Sequence, residues 1–262
     1  YTADDILITG TITASGQSVT LKSSTSSDAI ILGVAANGTG DTLQFTNAEL
    51  QSIAATTLTI GASGAGAITI SGDVTPGSGS GGNVATVALI TGSTITATSA
   101  GIIETNLALT AGGAVNFTDS ATNVTLLAID TSTGNITFIE ANGFSVSTVA
   151  GVTGVDTDSG SVALTATTGN LAVVNTAATN DIEATTTIAL TATADNAVIT
   201  IDSTADVEST GGAHTYTADD ILITGTITAS GQSVTLKSST GSDAIILGVA
   251  ANGTGDTLQF TN

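Results

Sequence analysis

The single histidine of this 262-residue chain, His214, stands among abundant serines and aspartates, which raises the chemistry of a Ser/His/Asp triad. One imidazole in such company carries no diagnostic spacing, and the pattern reads as chance. DTDSG at 156–160 sets Asp156 and Asp158 two residues apart ahead of Gly160, the alternation by which oxygen ligands converge on Ca²⁺. The segment is shorter than a complete calcium loop. An Asx-rich turn between strands is therefore the preferred reading, with calcium at Asp156 and Asp158 the candidate metal and no other cofactor expected. Asp4 and Asp5, which recur as Asp219 and Asp220, read as a solvated corner, and a bridging cation is the lesser alternative.

Other chemistry finds little material. A polysaccharide lyase needs a cationic proton abstractor beside an acidic sugar, yet the chain has two lysines, Lys22 and Lys237, one histidine and no arginine. Sugar platforms need Trp or Tyr, and only Tyr1 and Tyr216 exist. The reading is that the chain is not an enzyme. Five Asn-x-Ser/Thr sequons, at Asn37, Asn116, Asn123, Asn135 and Asn252, make glycosylation chemically open, although a chain so rich in Thr and Asn produces sequons by chance. Thr-x-Thr pieces at 57–59, 94–96 and 165–167 resemble ice-binding arrays, but their spacing is irregular, and strand propensity explains them better.

The formal charge is −20, so phosphate backbones and anionic membrane surfaces are repelled and nucleic acid is excluded as a partner. Charged residues make up only 9% and aromatics 3%, and Cys, Met and Trp are absent. Hydrophobic content of 41% is enough to bury a core and argues against disorder. The lack of cysteine suits an exported chain. No apolar run approaches the ~18–20 residues of a membrane-spanning helix.

The elements that must carry these residues are short β-type runs rich in Thr, Val and Ile, separated by Gly, Asn, Asp or Ser, from DILITGTITA at 5–14 to AVITI at 197–201. Helical periodicity is absent, and every segment reads as strand or turn. Residues 1–47 recur as 216–262 with one difference, Ser26 against Gly241, so the period is 216 − 1 = 215 residues. The expected organisation is one full repeat at 1–215 and the start of the next at 216–262, with neither end a natural terminus.

Run centres about 10 residues apart, such as Leu58 and Ile68 or Leu126 and Ile136, suggest coils of about 20 residues and about 11 coils per period, advancing ~53 Å. Phe117 and Phe138, 21 apart, would then stack on neighbouring coils. A solenoid is favoured over an array of sandwiches because stacked coils pair every backbone group except at the ends, and because the chain has one proline, Pro76. TPGSGSGGN at 75–83 reads as a long corner loop.

DILITGTITASGQSVTLKS, AITISGDVT, SVALTATTGNLAVV and TIALTATADNAVITI resemble the coils of filamentous haemagglutinin-type adhesins and related giant bacterial repeat proteins. The resemblance implies an all-β, right-handed parallel β-helix shaft, exported and displayed at the bacterial cell surface. The expected function is a structural shaft that gives length, stiffness and attachment, with copies of itself as partners along the fibre. The alternative is a glycan- or protein-binding adhesin module acting through side loops such as 73–84.

Overall fold

The computed structural model describes residues 1–38, 40–78, 84–176 and 179–240, together with the backbone of two later strands, Ala244–Val249 and Thr257–Thr261. Among these, nearly every ladder is parallel. A long thirteen-stranded sheet and a facing ten-stranded sheet enclose one hydrophobic core that runs from Val19 to Ile221. The fold is a parallel β-solenoid. Its strands alternate inward and outward because the side-chain period of a strand is two. In Val162–Ala166 the inward Val162, Leu164 and Ala166 are buried, while Ala163 and Thr165 are only partly so.

Stacking aligns inward residues into ladders. Ile95, Val115, Ile136, Val162, Ile188 and His214 follow one another in register along the facing sheet. Ala97, Phe117, Phe138, Leu164, Leu190 and Tyr216 form the next row. The expected Phe117–Phe138 stack is present, with ring centroids 5.3 Å apart, and Phe144 adds an edge contact to Phe138 at 5.7 Å.

The coils are longer than the sequence spacing suggests. Leu107 and Leu127 are in register 20 residues apart, but Leu164 and Leu190 are 26 apart, and Val19 and Leu58 are 39 apart. From Ile12–Leu21 to Thr226–Ala229, which repeats residues 11–14, the long sheet takes eight steps, not about 11. Eight coils in 215 residues average about 27 residues each and advance ~38 Å per period. The expectation failed because corner lengths vary and because the cross-section changes along the axis.

That change occurs at Leu126–Thr131. Its first residues pair with Ser145 and Val146 and its last with Val155–Thr157, so one strand supports two. Beyond this fork each coil has three strands, as in Leu171–Val173, Ile182–Ala184 and Ile188–Ala192. Between the branches stands a small antiparallel hairpin, Thr148–Val149 against Val152–Thr153. Its two-residue turn has positive φ at Ala150 (51°) and Gly151 (87°), as a tight hairpin turn requires. Gly154, at φ 70°, ends the branch, where a Cβ would meet the Asp181 carbonyl oxygen at 2.3 Å.

One helical turn, Asn47–Leu50, departs from the all-strand reading. A capping box explains it: Glu49 N donates to Thr46 Oγ1, and Thr46 N donates back to Glu49 Oε2. The signal is Thr46 followed three residues later by a glutamate. Of the segment 75–83 expected to form a corner loop, the described part contains a 3₁₀ turn at Pro76–Ser78, and residues 79–83 lie outside the described residues. Narrow bridges from Val74 to Ile102 and from Ile103 to Asn123 make a third side on the early coils.

Candidate functional site

His214 and Tyr216 occupy inward ladder positions on the strand His214–Thr217, so their environment follows from strand alternation. Ser209, His214 and Tyr216 are fully buried and joined in series. The Ser209 hydroxyl donates to the Gly212 carbonyl at 2.6 Å. Its oxygen is then the acceptor for His214 Nε2–H at 2.8 Å, which leaves Nδ1 to accept from the Tyr216 hydroxyl at 3.0 Å. Every polar proton in this three-residue series has an acceptor. Burial lowers the His214 pKa and raises that of the Tyr216 phenol, so both stay neutral. The serine next to the histidine is thus oriented as a donor to backbone, with no carboxylate in the series and no solvent access. This is a satisfied core network, and sequence spacing showed only the histidine.

Asp156 lies on the outward face of Val155–Thr157, and Asp158 is exposed in the turn that follows. Asp156 is in register with Asp130 on one side and Glu183 on the other, and Glu183 is in register with Glu208. Four carboxylates therefore stand on consecutive strands at the ~4.8 Å strand spacing. Partial burial, followed by the charges of Glu183, Asp158 and Asp130, pushes the Asp156 carboxyl up to about 6. Asp130 is raised by its loss of hydration and by Asp158. Among the described residues no group of three or more His, Cys, Asp or Glu side chains converges as a metal site. A row along a sheet spreads its carboxylates where a cation would need them gathered around one point.

The other acidic positions divide by context. Asp4 and Asp5 are exposed, as a solvated corner should be, but their counterparts Asp219 and Asp220 are buried. Asn196 N donates to Asp219 Oδ2 at 3.1 Å. Asp181, buried and not singled out from the sequence, ties a corner by accepting from Thr176 N at 2.6 Å and Asp206 N at 2.9 Å. Glu140 is fully buried at an inward position, where it accepts from Val124 N at 3.3 Å and burial raises its pKa.

Of the sequons, Asn135 is exposed, and Asn116 and Asn123 are half-buried. Asn37 directs its Nδ2 to Glu49 Oε1 at 2.9 Å, which engages the nitrogen a glycan would need. Asn252 lies outside the described residues.

A recess of about 750 Å³ is an open groove at the corner where the 75–78 turn meets the early coils. Gly77, Ser78, Val84, Ile103 and Glu104 line one side. Glu104 accepts from Thr105 N at 2.9 Å, and its burial raises its pKa. Among the described residues no aromatic ring lines the groove, so they supply no flat stacking surface of the kind sugar sites favour.

In comparisons with family models, with curated proteins and with solved structures, nothing matches this chain. No helix among the described residues is long and apolar enough to cross a membrane.

Proposed function

We propose that this chain is a structural shaft, a segment of a secreted filament or adhesin stalk at a bacterial cell surface that supplies length and stiffness. The observation that carries the reading is the unbroken parallel stacking of coils from Ile12 to Lys237 around one core. In such an array stability sums over coil-to-coil interfaces, so length can grow without a new domain core. These polar groups serve the fold. The buried Ser209–His214–Tyr216 series, the Asp181 corner and the Thr46–Glu49 cap all complete hydrogen bonds inside it, and catalysis is no part of the proposed role.

Electron microscopy of native filaments tests this reading. An axial repeat near ~38 Å per 215 residues is expected for one solenoid chain along the fibre, and a very different repeat refutes it. The second reading, a glycan- or protein-binding adhesin module, draws support from the 750 Å³ groove beside the 75–78 turn. Binding of a glycan panel that is abolished by Glu104→Gln would favour it over the shaft.

A further inference from the structure

A 47-residue segment occurs twice in this chain with one difference, Ser26 against Gly241, and the two copies are set against different neighbours. Tyr1 is 65% exposed, whereas its counterpart Tyr216 is 0% exposed. Asp4 and Asp5 are exposed, whereas Asp219 and Asp220 are buried. The reverse holds further on, because Val19 is 4% exposed and Val234 is 45% exposed. At these positions each copy leaves bare what the other covers.

The cover on the second copy is identifiable. Strands Val198–Ile201, Asp206–Ser209 and His214–Thr217 pair with Asp220–Ile223, Thr226–Ala229 and Val234–Lys237. In the first copy the opposite edge is the one in use: Ser18–Leu21 pair with Thr57–Ile60. The lower edge is still marked there, since Thr2 bridges to Lys22 as Thr217 does to Lys237. The two pairings use different edges of one strand, so a single copy can hold both at once.

We propose that the edge formed by residues 5–8, 11–14 and 19–22 is the docking face for the last three-strand coil of a second copy of this repeat placed ahead of Tyr1, in which residues 198–215 of that copy are continued by Tyr1 and Thr2. Successive repeats then share one core without a break, and the Ser209–His214–Tyr216 series is buried once at every seam. The sheets also exchange places at each seam. Residues 19–21 belong to the long sheet in the first copy, but their counterparts 234–236 belong to the facing sheet in the second. Reciprocally, Thr257–Thr261 lies beside Asp220–Ile223 of the long sheet, while its counterpart Thr42–Thr46 closes the facing sheet. The inference rests on the shaft reading and adds to it how one repeat is joined to the next.

The test uses the full chain with the sequence of residues 182–215 added directly ahead of Tyr1. That extension contains no tyrosine, and the chain has only Tyr1 and Tyr216, so nitration by tetranitromethane followed by peptide mapping reports each site separately. In the unextended chain Tyr1 should react and Tyr216 should not. In the extended chain Tyr1 should be protected by at least about ten-fold, to the level of Tyr216. A scrambled extension should leave Tyr1 reactive. Unchanged Tyr1 reactivity with the true extension, or equal protection by the scrambled one, overturns the proposal. Filaments that keep the ~38 Å coil stack while Tyr1 stays reactive would sink the seam and leave the shaft, whereas loss of that stack would sink the shaft itself.

Discussion

Asp156→Asn should make the protein more stable at neutral pH and flatten its pH dependence. The Asp156 carboxyl is pushed up to about 6 in the fold, against an ordinary 3.8, by partial burial and by Glu183, Asp158 and Asp130. Between these two values the folded chain binds more protons than the unfolded one, so stability falls as pH rises from about 4 to about 6. A difference of roughly 2 pKa units corresponds to ~3 kcal/mol at most. Asp156 is only partly buried, and solvent screening reduces this to about 1–2 kcal/mol. Asn keeps the shape of the side chain and removes the charge. The expected change at pH 7.5 is a rise in melting midpoint of about 3–6 °C, with little change at pH 4. Circular dichroism melts of both proteins across this range measure it, with hydrogen exchange at residues 155–157 to localise the effect because solenoids unfold in parts. Equal shifts at pH 4 and pH 7.5, or none at either, would refute the charge-row argument.

Screening gives a companion expectation: raising salt from 10 to 150 mM shortens the Debye length from about 30 to about 8 Å and should stabilise the native chain more than the Asp156→Asn variant, as melts will show. Phe138→Ala removes the middle ring of the Phe117–Phe138–Phe144 stack and should cost about 3–5 kcal/mol, read as early exchange of amides in residues 115–146. At the fork, Gly154→Ala puts a Cβ 2.3 Å from the Asp181 carbonyl oxygen at positive φ and should lower the melting midpoint. Ala150→Gly relieves a residue already at φ 51° and should raise it, at about 1 kcal/mol. Tyr216→Phe leaves His214 Nδ1 without its donor and should cost about 1–3 kcal/mol, measured by denaturant unfolding at pH 7.5.

Strand alternation, the 215-residue period and the parallel solenoid were all legible in the sequence, because inward and outward residues alternate within each run and Gly, Asn and Asp mark the corners. The Phe117–Phe138 stack was legible for the same reason: it joins two coils separated by a short, regular spacing. Coil number was not, since a period of two tells which side of a strand faces the core and nothing about which strand lies on top of it. Corners of unequal length hid the 26- and 39-residue steps, and the hairpin at 148–153 hid the passage from two-strand to three-strand coils.

The chemistry followed the same division. Asp156 and Asp158 were visible as a pair, but Asp130 and Glu183 reach Asp156 only through strand register, where their charges add to burial in raising its pKa. His214 stood out by type, yet its burial with Ser209 and Tyr216 depends on coils stacked on both sides of it. The repeated 47 residues give the clearest case. One sequence leaves its tyrosine open at position 1 and closed at position 216, because in a solenoid burial is supplied by the neighbouring coil as well as by the strand itself.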